Sequence, residues 1–130
     1  MAIQIFSNAL YVGEIDAEYG ELGWITDDAN RYVGRIEIDW GDENQEDHIA
    51  TVYKDDVVIA TIVLDRYIPN RGQVFRREKK VGEIRLESPG NCSVYRGSKL
   101  VGIIKTTGKD VSDKHVILFG GGGAVVLLGL

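Results

Sequence analysis

The sequence predicts an all-β fold of about ten or eleven short strands, paired as five sequential antiparallel hairpins. These roll into a closed or nearly closed barrel, with an apolar C-terminal segment packed on the core, because closure removes exposed strand edges. Three observations carry that expectation. One motif recurs: an aromatic residue, five intervening residues, Val or Ile, Gly or Ala, any residue, then Ile. It stands at Phe6…Val12-Gly13-Glu14-Ile15, Tyr53…Ile59-Ala60-Thr61-Ile62, Phe75…Val81-Gly82-Glu83-Ile84 and Tyr95…Val101-Gly102-Ile103-Ile104, with a looser copy at Ile25…Val33-Gly34-Arg35-Ile36. β-Branched and aromatic residues dominate, and no long stretch repeats apolar residues at helical spacing. Finally, Val116 to Leu130 carries no charged side chain.

Each copy is two extended runs about a polar step, which is the hairpin signal. The steps are Asn8-Ala9, Asp55-Asp56, Arg77-Glu78 and Gly97-Ser98, while the second copy has a longer turn, Thr26 to Arg31, with Asp27, Asp28 and Asn30 as turn formers. Folding about these steps sets Ile5 opposite Val12, Val52 opposite Ile59, Val74 opposite Val81 and Val94 opposite Val101. Such pairs contribute about 0.2–1 kcal/mol each. The residue after each Val or Ile (Gly13, Gly34, Ala60, Gly82 or Gly102) marks the structural repeat. Glycine inside a strand signals a bulge, a bend or close approach of another backbone. A phosphate-cradling role would need a helix after the glycine, and no helical pattern follows any copy.

Taken in order, the first hairpin spans about Ile3 to Asp16 and is followed by an acidic loop, Ala17 to Gly23. Trp24 opens the second copy, and Arg35 to Trp40 alternates polar and apolar residues as a half-buried strand does. The third copy, Ile49 to Asp65, contains the nearly continuous apolar run Val57 to Leu64, which suits a strand buried on both faces. Pro69-Asn70 ends it. Ser88 to Asn91 is a turn, Cys92 begins the fifth copy, and Lys105 to Lys114 is a polar loop. In the tail, Val116 to Phe119 suits a strand. Gly120 to Gly123 reads as a hinge, because glycine is poor in helices. Ala124 to Leu128 is too apolar to stay exposed and should close the core or pack into another copy of the chain. The tail is too short and glycine-rich for a membrane-spanning helix.

Two regions carry possible chemistry. Gly41 to His48 (GDENQEDH) gathers carboxylates that could serve a hard cation, or a hydrolase together with His48. Its spacing matches no twelve-residue calcium loop, and a solvated acidic loop accounts for it better. Arg66, Arg71, Arg76, Arg77, Lys79 and Lys80, with Tyr67 and Phe75 nearby, could bind an anion or single-stranded nucleic acid. The acidity of the whole chain argues against a general nucleic-acid binder. Cys92 has only His48 and His115 as potential bases and no local catalytic signature, so it reads as a packed thiol. The sequence calls for no cofactor and no metal.

The 130 residues suit one domain over residues 1–130, and 44% hydrophobic with 27% charged residues fits a soluble globule. A lone cysteine excludes an internal disulfide. The N-terminal segment lacks the pattern of a secretory signal, which points to the cytoplasm. The net charge of −5 is unevenly spread: residues 1–65 hold 15 acids and 3 bases (−12), residues 66–130 hold 5 acids and 12 bases (+7). That asymmetry suggests either neutralisation between the halves or a homo-oligomer, the apolar C-terminus being a second route to one. The reading that follows is a non-catalytic binding, scaffolding or self-association module.

The tandem hairpins and the tail resemble small bacterial proteins of uncharacterised function that carry Tyr-x5-Val-Gly-x-Ile units and end in a Gly/Ala/Leu-rich tail. The similarity covers four good copies, the looser one at Ile25 to Ile36, and residues 120–130. It implies an architecture and no activity. The acidic insertion Gly41–His48 and the loop at Asn70-Arg71 depart from it.

Overall fold

The computed structural model describes residues 2–18, 20–41, 48–65, 67–106 and 111–130. Ten strands follow one another and then a helix: β1 (Ala2–Ser7), β2 (Leu10–Glu18), β3 (Leu22–Asp27), β4 (Tyr32–Asp39), β5 (Ile49–Lys54), β6 (Val57–Leu64), β7 (Arg71–Arg76), β8 (Lys79–Ser88), β9 (Asn91–Arg96), β10 (Lys99–Thr106) and α1 (Asp113–Leu128). Every strand pairs antiparallel with its neighbours in sequence, and β1 pairs with β10 to close the barrel. The five expected hairpins are all present. The second begins earlier than expected, since Leu22 and Gly23 already belong to β3.

Four turns sit where the polar steps predict them. Asn8-Ala9, Asp55-Asp56 and Arg77-Glu78 all have positive φ at both residues, as a type I′ turn requires, and Gly97 alone is positive in the fifth. In the second turn, Asp27 Oδ1 accepts the N–H groups of Ala29 and Arg31, each at 2.9 Å.

The register differs from the sequence expectation by one residue. Ile5 pairs with Gly13, Val52 with Ala60, Val74 with Gly82 and Val94 with Gly102, while Phe6 pairs with Tyr11 and Tyr95 with Leu100. The intervening Val12, Ile59, Val81 or Val101 is the extra residue of a β-bulge, so two residues of the second strand oppose one of the first. The glycine, or Ala60 in the third copy, therefore marks a bulge in each hairpin, and the Val or Ile before it is half-buried rather than a core-facing partner. A second correction concerns β6. Val57 and Val58 are 60% and 53% exposed, so only the later part of that apolar run faces the core.

The largest correction is the tail. It is neither a strand nor a hinged lid but one helix, α1, running through Gly120 to Gly123 without a break. It packs against all ten strands, so it lies along the bore of the barrel. Val116 to Val125 are buried without interruption, the pattern of a helix surrounded on every side. Sixteen residues at about 1.5 Å each give a length near 24 Å, enough to run the length of the wall.

Side-chain size explains the glycines. The inward face of the wall carries a belt of Ile5, Ile15, Ile25, Ile36, Ile62, Ile84 and Ile104 with Val52, Val74 and Val94, all fully buried. A Cβ on Gly120 would lie 2.5 Å from Ile104, on Gly122 2.5 Å from Ile36, and on Gly123 2.2 Å from Ile15; on Gly121 it would lie 3.1 Å from Ile84. Consecutive helical residues are about 100° apart, so four glycines sweep one full turn and each meets a different part of the belt. Above and below the belt the sizes reverse. Phe119 rests on Gly23 and Ile117 on Gly72, while at the other end Leu127, Val126, Leu130 and Leu128 fill the space at Gly13, Gly34, Gly82 and Gly102. The helix is thin where the wall is thick, and the wall is bare where the helix is thick.

The helix ends are capped from the chain around them. Ser112 Oγ accepts the N–H of His115 at 3.2 Å, and Asp113 lies in the first turn. At the other end Gly129 is left-handed (φ 68°), Arg96 Nη2 donates to Gly129 O and Arg76 Nε to Leu130 O, each at 2.6 Å.

Candidate functional site

The bore is the usual ligand site of a small barrel. Here α1 occupies it, and no buried polar or charged residue lines it among the described residues. Cys92 belongs to this interior. Burial pushes its thiol up to about 12, with further contributions from the charges of Asp113 and Glu87. A thiol so hard to ionise is not a nucleophile. The chemistry of the chain therefore lies on the outer wall and the two rims.

The structure disperses the basic residues singled out in the sequence. Arg71, at the start of β7, pairs with Glu83 Oε1 at 3.1 Å, and Arg85 pairs with the other oxygen at 3.2 Å. Arg76, at the far end of the strand roughly 16 Å away, is engaged by Leu130. Arg77 lies in the exposed turn, with Lys79 and Lys80 exposed at the start of β8. Arg66 lies outside the described residues. Arg76 and Arg77 line a common groove. Arg96, which sequence reasoning passed over, matches Arg76 in holding the helix end. Its only signal was the place it takes next to a hairpin turn, as Arg76 does.

Interleaved cations and aromatics join neighbouring hairpins instead. The Arg35 guanidinium lies 4.1 Å over the Tyr53 ring, Arg85 4.3 Å over Tyr95, and Lys105 Nζ 5.5 Å from the centroid of Phe6. Each cation comes from the hairpin before the aromatic, and Lys105 closes the ring onto β1. These contacts, worth about 0.5–1 kcal/mol each at exposed sites, give the motif's aromatic a partner in three copies; Phe75 faces Thr61 instead.

At the rim where α1 begins, Trp40 is the centre of a ring cluster. Its Nε1 donates to Gly20 O at 2.7 Å, His48 meets it edge-on at 5.3 Å between centroids, and His115 lies at 4.8 Å. His115 also stacks on Phe119 and bonds through Nδ1 to Ser112 Oγ. Burial pushes the His115 imidazole below its usual range. The carboxylates of residues 42–47, proposed partners of His48, lie outside the described residues. Among the described residues, no three His, Cys, Asp or Glu side chains converge as a metal site would need.

At the opposite rim the seams between hairpins open. β6 and β7 pair from Thr61↔Phe75 downward, so Val57 to Ala60 pair only with β5. The groove left above that point has a volume of about 750 Å³ and is lined by Val57, Val58, Ile59, Ala60, Thr61, Phe75, Arg76, Arg77 and Glu78. The matching groove between β10 and β1, with Leu100 and Ile103 on its wall, holds about 260 Å³. In the other four copies a Cβ would lie 2.3–2.8 Å from a carbonyl oxygen of the next hairpin, whereas the third copy carries Ala60 at that position. Thr61 is too short to do what Arg35 does at its seam, where the guanidinium reaches Asp56 Oδ1 at 2.6 Å.

No family model matches the chain, and neither a curated protein nor a solved structure matches it. No helix among the described residues is long and apolar enough to cross a membrane.

Proposed function

We propose that this chain is a non-catalytic binding and self-association module that works through its outer wall. The observation that carries the reading is the filled bore: α1 occupies the space in which a barrel of this size would hold a small molecule. What remains is a surface of divided charge. Ion pairs among the described residues stay within each half of the chain. Arg31–Asp27, Arg35–Glu37 and Arg35–Asp56 lie in the first three hairpins, and Arg71–Glu83 and Arg85–Glu83 in the last two. By sequence the first half carries −12 and the second +7, and the two halves form adjoining sectors of one barrel. Opposed patches of this kind favour oriented encounter between molecules. The C-terminal segment, being sealed in the bore, is not the surface involved.

The tandem motif supports placing the chain with the bacterial hairpin-repeat proteins it resembles, in the cytoplasm. Sedimentation velocity tests the self-association directly. Oligomers are expected at low ionic strength and should dissociate near 1 M salt, where the screening length falls to about 3 Å. A monomer throughout that range would overturn the reading.

A further inference from the structure

The acidic and basic sectors of the closed barrel meet at two boundaries, and a groove of about 750 Å³ lies on the one between the third and fourth hairpins. Its lining runs from Val57 to Thr61 on one wall and from Phe75 to Glu78 on the other. The acidic turn Asp55-Asp56 precedes the first wall, and the second carries Arg76, Arg77 and Glu78. Val57 and Val58, the exposed part of an otherwise apolar strand, lie on the first wall. Asp56 is engaged by Arg35 and Arg76 by Leu130, whereas Asp55 and Arg77 have no partner among the described residues. They are also equivalent residues, each the first of a two-residue turn, with φ of 52° and 50°.

We infer that this groove is the contact surface of a two-fold symmetric dimer, its occupant being the same groove of a second copy. A two-fold axis lying in the plane of the interface and running along the groove carries each wall over the other, so the Asp55 turn of one copy meets the Arg77 turn of its partner, twice. Val57 and Val58 of both copies then cover one another at the centre. Such a surface is self-complementary, as a closed dimer requires. The apolar centre supplies burial, and the opposed turns fix orientation. This inference rests on the self-association reading and gives it a location. The groove between β10 and β1 is the rival surface. It exposes Leu100 and Ile103, but its first-hairpin wall ends in the uncharged turn Asn8-Ala9, so it offers no charge exchange.

The test is the dimer dissociation constant of full-length variants, measured by sedimentation equilibrium and accompanied by thermal melts. Val58→Lys should weaken the dimer at least about tenfold, the effect expected of a charge in an interface core. It should leave the fold intact, because Lys80 occupies the equivalent position of the fourth hairpin. Asp55→Arg and Arg77→Asp should each weaken it. The two together should restore it, since the signs are exchanged and each turn then carries a residue the other already tolerates. Leu100→Lys should change nothing. If Leu100→Lys dissociates the dimer and Val58→Lys does not, self-association stands and this location for it is overturned. The location also fails if the double exchange is no better than either single change. A wild-type chain that is monomeric at every concentration overturns both.

Discussion

Gly123 and Gly121 are neighbours in one helix, yet a methyl group on the first would lie 2.2 Å from Ile15 and on the second 3.1 Å from Ile84. That difference yields a graded prediction. Replacing glycine by alanine in a helix gains about 1 kcal/mol from backbone propensity, while overpacking a core loses about 1–3 kcal/mol. Gly123→Ala, Gly120→Ala and Gly122→Ala should therefore each destabilise, Gly123→Ala most, and Gly121→Ala should stay within about 1 kcal/mol of the parent. Urea titration decides it, and four equal effects would contradict the size-matching argument. The run of glycines was plain in the sequence, but its meaning was not. Read locally, four glycines argue against a helix; only the isoleucine belt, assembled from residues up to 118 positions away, shows that nothing larger fits. The half-buried His115 makes a second residue-level prediction. Its folded pKa lies below the unfolded value near 6.5, so below about pH 6.5 the unfolded chain binds the proton more readily. Stability should be flat above that pH and fall as pH drops through the window beneath it. His115→Gln should flatten that part of the profile, and an unchanged profile would show that His115 does not report on helix seating.

At the level of elements, the hairpins were legible because they are local. Each turn, each aromatic and each glycine lies within a dozen residues of its partner, and the pattern of β-branched residues names the strands. The one-residue error in register came from the bulge, whose extra Val12, Ile59, Val81 or Val101 cannot be told from a paired residue by spacing alone. The helix was not legible, because the element that stabilises it is the whole barrel. Removing residues 123–130 tests that dependence. The truncation takes away the leucines that fill the glycine-lined end of the bore and the carbonyls held by Arg76 and Arg96. Unfilled apolar cavities are destabilising by about 24 cal/mol per Å³. The truncated chain should melt well below the full-length protein or be recovered as aggregate. A soluble truncated chain with the parent's melting temperature would mean that the barrel stands without its core.

For the molecule as a whole, wall and helix form one core, so they should unfold together. The interior of the wall is apolar throughout, and an empty barrel would expose the isoleucine belt to water, at roughly 25 cal/mol per Å². The helix outside the barrel would hold four consecutive glycines with no packing to offset their poor propensity, and a short isolated helix of that kind is not stable. Neither part therefore has an independent folded state. Closure also joins Ile3 to Thr106, and α1 follows β10 in sequence, so barrel closure and helix packing rest on long-range contacts, the kind that slows folding. The two tryptophans can separate the events. Trp40 lies against His115 at the start of α1, while Trp24 lies on the wall 5.7 Å from Tyr32. In a Trp24→Phe variant the fluorescence of Trp40 follows departure of the helix, and in a Trp40→Phe variant that of Trp24 follows loss of the wall. Both urea transitions should coincide with each other and with the loss of far-ultraviolet dichroism, as a two-state core demands. A Trp40 signal lost at lower urea than the Trp24 signal would reveal a barrel that survives with its helix withdrawn, and the bore would then be a site that opens.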